Sequence, residues 1–339
     1  MKLLIRATNW VGDAIMALPA LRAVRKRFAE AQITILARPY VAEIYKGQSV
    51  CDDLMASGSE ADVVRELRAR KFDAALLLQN AFEAAWVAWR AGIPQRIGYG
   101  RDGRSLLLTK AVRVPKPGEI PSHEQYYYLE LLRRAGWLDT LPKETFIELK
   151  VTEENRRRAE GMLQAAGARA GQARIAIGAG ASYGSAKCWL PERFAEVANR
   201  LQEQTGAGIV LFGTEAEASV SSAIAAGLQR PPTNLTGKTA ISDLPALLSR
   251  CQLFIGNDSG AMHVAAAVGL PVVTIFGPTD PFGTSAVTPR CTVVQEKPYC
   301  SPCFLRRCPT DHRCMTRVTP DAVESAAKQW ISSLEVRPA

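Results

Sequence analysis

The sequence predicts an α/β protein made of two doubly wound halves, and three observations carry that expectation. Its 339 residues are too many for one ordinary core and suit two α/β domains. Short apolar runs without polar alternation recur along the chain, as strands buried on both faces require. A helical stretch follows most of them, which is the pattern of consecutive βα units around a parallel sheet. Hydrophobic residues make up 47% of the chain, enough for well-packed interiors.

The first half opens with a strand over residues 3–7. The single Lys2 and the short apolar run behind it lack the length and cleavage site of a signal peptide. A helix is expected over 13–28, closed by Arg25, Lys26 and Arg27, cations that suit a helix C-terminus. Next come a strand at 33–37, a charged helix ending at 65–70, an apolar strand at 74–79 and a helix at 81–91. A helix at 122–135 carries Tyr126, Tyr127 and Tyr128. The polar helix at 153–166 reads as a linker element. The second half starts afresh with a strand at 174–178, a helix at 191–204 opened by Pro191, a strand at 208–212 and a helix at 217–227. Leu253-Phe254-Ile255 is a strand, 261–268 a small-residue helix and 272–276 another strand. The domains are placed at 1–160 and 161–339, with the last helix able to pack back on the first. Ligands of such sheets lie at strand C-termini, expected here in the cleft between the halves.

The formal net charge is +9, with Arg96, Arg101, Arg104, Lys110 and Arg113 crowded in the later part of the first half. A basic surface there suits an anionic acceptor, an anionic membrane leaflet or nucleic acid, or is simply solvated. No apolar run reaches membrane-spanning length, so a cytosolic location is expected. Of the eight cysteines, Cys300, Cys303, Cys308 and Cys314 form a Cx2Cx4Cx5C cluster with His312 nearby. In a reducing compartment these are metal ligands or free thiols: zinc can close the loop as a structural knot, or the thiols stay reduced and partly buried.

The chemistry gathers in loops that leave strand ends. In Thr8-Asn9-Trp10-Val11-Gly12-Asp13, Asp13 stands at a helix start, where it serves as a cap or as a carboxylate aimed at a ligand. Only one glycine is present, so the three-glycine dinucleotide fingerprint is missing and a nicotinamide oxidoreductase is disfavoured. Residues 178–187 form a glycine-rich loop containing Ser182 and Tyr183 and ending in Lys187, a point charge for a diphosphate. No Ser or Thr follows the lysine, so it is not a P-loop. Glu215 and Glu217 follow the strand at 208–212, where an acid can accept ribose hydroxyls or favour its helix start. Leu235-Thr236-Gly237-Lys238-Thr239 is a turn able to set backbone groups, with Lys238, against a nucleoside. In Asn257-Asp258-Ser259-Gly260, ahead of a helix that carries His263, exposed N–H groups and the helix dipole suit a phosphate, while Asp258 and Ser259 can cap the helix or bind hydroxyls.

Taken together, Asn9-Trp10-Val11-Gly12-Asp13-Ala14-Ile15-Met16 with Leu18-Pro19-Ala20-Leu21, Lys187 before Trp189, Asn257-Asp258-Ser259-Gly260 with His263, Gly269-Leu270-Pro271 and Phe276-Gly277-Pro278-Thr279 resemble the ADP-heptose:lipopolysaccharide heptosyltransferases, the heptosyltransferase II group above all. The resemblance implies a GT-B fold, two Rossmann-like domains facing across a cleft. It implies inverting transfer of L-glycero-D-manno-heptose from ADP-heptose to a lipid A–Kdo or heptose acceptor, by a monomer lying peripherally on the inner face of the cytoplasmic membrane and needing no cofactor. By position, Asp13 matches the general base. Ser182, Tyr183, Lys187, Asp258, Ser259, Gly260 and His263 match donor-binding residues, and Glu217 the ribose acid, with Glu215 as the alternative. Tyr183 departs from the small hydroxyl residue of the pattern. Arg96, Arg101, Arg104 and His123 are the candidates for the acceptor side, and His123 is equally a structural histidine. Within the class, heptosyltransferase I or III is the other reading. From another class, a basic metal-knot protein binding nucleic acid needs aromatics interleaved with its cations, and residues 300–317 with their flank offer only Tyr299 and Phe304.

Overall fold

The computed structural model describes residues 1–330 and divides into two compact units, Met1–Ile147 and the residues from Glu148 onward. In the first unit β1 (Lys2–Arg6) leads to α1 (Val11–Met16) and α2 (Leu18–Arg27), followed by β2 (Gln32–Ala37), α3 (Pro39–Tyr45), β3 (Asp53–Ala56), α4 (Glu60–Arg70), β4 (Ala74–Leu77), α5 (Phe82–Arg90), β5 (Gln95–Tyr99), β6 (Lys110–Val112) and α6 (Glu124–Arg134). The strands form one six-stranded sheet in the order β3-β2-β1-β4-β5-β6, paired in parallel throughout. The helix expected over 13–28 is two helices. The break falls at Ala17, and Pro19 sits in the first turn of α2, where a missing N–H costs nothing.

The second unit contains α7 (Glu153–Ala165), β7 (Arg174–Gly178), α8 (Pro191–Thr205), β8 (Gly208–Phe212), α9 (Ala218–Gly227), β9 (Thr233–Asn234), α10 (Leu244–Leu248), β10 (Leu253–Asn257), α11 (Gly260–Ala267), β11 (Val272–Phe276), α12 (Pro281–Thr284), β12 (Cys291–Gln295), α13 (Arg313–Thr316) and α14 (Pro320–Lys328). Its six strands are again all parallel, in the order β12-β11-β10-β7-β8-β9, which repeats the winding of the first sheet. Strand order reverses beside β1 and β4 in one sheet and beside β7 and β10 in the other, so the loops after those strands flank the natural ligand crevice of each unit.

The division falls at Ile147/Glu148, ahead of α7, rather than at 160/161 inside that helix. α7 packs on α10, and its Glu160 is bound by Arg174 on β7 and by Arg250, which hold that carboxyl down at about 2. α14 packs on α8, β11 and β12 of its own unit. Trp189 anchors this region: it is 1% exposed, meets Phe194 edge-on at 4.9 Å and donates its indole N–H to the Val318 carbonyl at 3.1 Å.

Candidate active site

In the second unit, three loops at the switch point are tied together by buried polar side chains. Asn257, the last residue of β10, is fully buried. Its Nδ2 donates to the Ala179 carbonyl at 2.6 Å, and its Oδ1 accepts from the Trp189 N–H at 3.0 Å. One amide thus clamps both ends of the glycine-rich loop, a positioning role that sequence reasoning missed although it quoted the residue. Asp258 is also buried, and its Oδ2 accepts from Lys187 Nζ and from Thr279 Oγ1, the latter at 2.6 Å. The ion pair fixes Lys187 over the loop it closes. Thr279, from the turn after β11, enters the sequence reading only as the end of the 276–279 run; nothing short of the fold reveals that it meets Asp258.

Ser259 is the N-cap residue of α11, yet its side chain makes no cap bond, and its buried Oγ has no partner among the described residues. A buried hydroxyl without a partner is costly unless a ligand completes it. Neither Ser259 nor Asp258 caps the helix, so the α11 N–H groups stay available at the positive end of its dipole. Gly260 begins that helix, and His263 is buried one turn in.

The two glutamates separate by position. Glu217 Oε2 accepts from Thr214 N–H at 2.7 Å and Thr214 Oγ at 3.0 Å. Its carboxylate lies so close to Gly180 that a Cβ there would overlap it. Glu215 is exposed and lies against Gly237 instead. Glu217 is therefore the acid that borders the glycine-rich loop. Ser182 is exposed on that loop, whereas the Tyr183 hydroxyl is spent on the Phe304 carbonyl at 2.5 Å. Lys238 is exposed, with Nζ on the Asn234 carbonyl at 3.2 Å.

In the first unit Asp13 is the third residue of α1. The N-cap is Trp10, which makes no side-chain cap bond, so Asp13 is not the cap. Its charge reaches Tyr45 on α3 and Glu124 and Tyr128 on α6, holding all three acids up in addition to their burial. Half-buried Glu124 is pushed up to about 7, by burial first and by Asp13 second, against a hydrogen bond from Tyr128 and the charge of Arg101. An unfolded glutamate ionises near 4.5, so between the two values the folded chain keeps a proton that the unfolded chain has lost. Stability is thus greatest below the lower value and falls as pH rises through the upper one. Glu124→Gln should match wild type near pH 5 and exceed it by about 2 kcal/mol near pH 8, measured by urea denaturation at both. A difference that does not change with pH would refute the raised ionisation.

Two acceptor candidates turn out to serve the fold. Arg104 is completely buried. It donates to the Tyr99 carbonyl at 2.9 Å, to Asn80 Oδ1 at 3.2 Å and to the Gln79 carbonyl, stitching the β4 exit loop to β5, and its burial closes it off from a ligand. Arg96 spends Nε on the Leu107 carbonyl at 2.6 Å and NH1 on that of Ile93. His123 Nδ1 caps α6 through the Gln125 N–H at 3.3 Å. Arg101 remains exposed, beside Asp102 at 3.2 Å. Among the described residues no three His, Cys, Asp or Glu are arranged to hold a metal, and Cys300, Cys303, Cys308 and Cys314 are free thiols here. The thiols still sense one another: Cys314 is pushed up to about 11 by burial and then by Cys303, Cys308 and Cys300.

Glycosyltransferase family 9 (heptosyltransferase) matches residues 61–313, most of the chain, including the second-unit loops from Lys187 to His263 but not Asp13. The chain belongs to this family. Among its relatives, lipopolysaccharide heptosyltransferase 2 of Escherichia coli is 29% identical over 312 residues, covering 87% of this chain and 88% of that one. Lipooligosaccharide heptosyltransferase 2 of Haemophilus ducreyi is 26% identical over 331 residues, with 87% and 88% covered. Among solved structures, ADP-heptose LPS heptosyltransferase II of E. coli superposes with a TM-score of 0.84 at 26% identity, covering 99% of this chain and 100% of that one. A family 9 glycosyltransferase of Veillonella parvula shares the fold at a TM-score of 0.85 and 23% identity, covering 98% and 97%. The two Rossmann-like units of this family 9 enzyme are those of the GT-B class.

Proposed function

We propose that this glycosyltransferase moves L-glycero-D-manno-heptose from ADP-heptose to the heptose-bearing inner core of lipopolysaccharide, with inversion at the anomeric carbon. The observation that carries the donor half is the buried Lys187–Asp258 pair beside a partnerless Ser259 hydroxyl at the open start of α11. That arrangement places one cation, one hydroxyl and free N–H groups where a diphosphate fits. Likeness to enzymes named heptosyltransferase 2 supports the sugar and the acceptor.

Asp13 takes the proton of the acceptor hydroxyl as that oxygen attacks the anomeric carbon. The bond to the diphosphate breaks on the opposite face, and Lys187 with the α11 N–H groups meets the charge that ADP acquires. Glu217 accepts the ribose hydroxyls of the donor. Exposed Arg101 is the remaining cation for an acceptor phosphate or carboxylate. No helix among the described residues is long and apolar enough to cross a membrane. The lipid-anchored acceptor and the charge of +9 support work at the cytoplasmic face of an anionic membrane.

A screen of ADP-heptose against other sugar nucleotides, with lipid A cores truncated one sugar at a time, tests this. ADP-heptose should be used, and only cores already bearing one heptose should accept. Transfer to cores lacking heptose would move the assignment to the heptosyltransferase I type, and use of another donor would remove it.

A further inference from the structure

The cysteine-rich segment has no place in the mechanism so far, yet it lies on the donor loops. Ser301 Oγ donates to the Gly277 carbonyl at 2.6 Å, and the N–H groups of Cys303 and Phe304 donate to the Pro278 carbonyl at 3.0 and 2.8 Å. From there the segment crosses to the glycine-rich loop. The Phe304 carbonyl accepts from the Tyr183 hydroxyl, the Arg306 carbonyl accepts from the Ala186 N–H at 3.1 Å, and His312 Nε2 lies 2.8 Å from the Ala186 carbonyl. Gly184 has to be glycine, because a Cβ there would run into the Arg306 carbonyl. The segment is therefore a strap that joins the turn after β11 to the loop carrying Lys187.

The strap delivers a cation. Arg306 is exposed, and its guanidinium lies 5.5 Å from the centre of the Tyr183 ring, against 4.8 Å for Lys187 Nζ. No described residue accepts a hydrogen bond from that guanidinium or pairs with it as a carboxylate. Lys187, by contrast, is already paired with Asp258. A diphosphate carries more negative charge than one half-neutralised lysine can match. An aromatic face attracts a cation without neutralising it, so Arg306 keeps its full charge and its planar fork of donors.

We infer that Arg306, held over Tyr183 by the cysteine-rich strap, is a second cationic ligand for the donor diphosphate, on its β-phosphate side. This rests on the ADP-sugar reading of the second unit. It also gives Tyr183 a use that a small hydroxyl residue lacks: a platform that aims two cations at one anion.

Calorimetry with ADP and AMP on wild type, Arg306→Ala, Arg306→Gln and Arg306→Lys tests it, with melting curves to confirm folding. Ala and Gln should each weaken ADP about ten-fold, leave AMP within about two-fold, and Lys should recover most of the loss. Unchanged ADP affinity in Ala and Gln would overturn the inference and leave the donor reading standing. Equal losses for ADP and AMP would also overturn it, since a loosened strap would act on both. Wild type that binds neither nucleotide would remove the donor reading itself.

Discussion

Asp13→Asn is expected to lower kcat by about 10²–10⁴-fold, the usual contribution of a positioned base, while ADP-heptose affinity stays within about two-fold. The amide keeps the shape of the carboxylate and removes its ability to take a proton. Asp13 is well placed for such a clean result. It is not the N-cap of α1, a place taken by Trp10. Its surroundings are acids held in their neutral forms, Tyr45 and Tyr128 by burial and Glu124 in part. The substitution relieves repulsion in that cluster, so folding should be preserved or improved. Steady-state kinetics give the loss, calorimetry the affinity and a melting curve the fold. Turnover within ten-fold of wild type would exclude Asp13 as the base.

What could be read directly from the chain follows burial. The central strands β1, β2, β4, β7, β8, β10 and β11 are sealed on both faces and appear as continuous apolar runs. The strands that escaped are the four edge strands β3, β6, β9 and β12 and the inner β5, all short or half-exposed and mixing polar with apolar residues. Site residues divide in the same way. Asp13, Lys187, Asp258 and Ser259 announce themselves because loops after central strands have few reasons to carry those groups. Arg104 misleads for the opposite reason: in sequence a buried guanidinium spent on carbonyls looks like any surface arginine. The roles of Thr279 and Arg306 were invisible because each acts through a partner distant in sequence, Asp258 and Tyr183. Spacing within a segment carries no information about such pairs.

Lys187→Met should do two separable things. As the cation facing the departing ADP, Lys187 supports charge that grows in the transition state, and its loss should lower kcat/KM by about 10²–10³-fold. As the partner of Asp258, which is only 4% exposed, it also stabilises the fold. Methionine fills the same volume but leaves that carboxylate with Thr279 as its remaining partner. A buried charge stripped of its counter-ion costs about 2–4 kcal/mol, with Thr279 keeping the value toward the lower end. The two effects part company in the double variant Lys187→Met with Asp258→Asn. The amide carries no charge to strand, so unfolding free energy should return to within about 1 kcal/mol of wild type. Activity should not return, because nothing then faces the diphosphate from that position. Denaturant unfolding and donor kinetics on the two single variants and the double variant give both quantities. Recovered stability with recovered activity would mean that Lys187 only neutralises Asp258, and the role of leaving-group cation would pass to another residue.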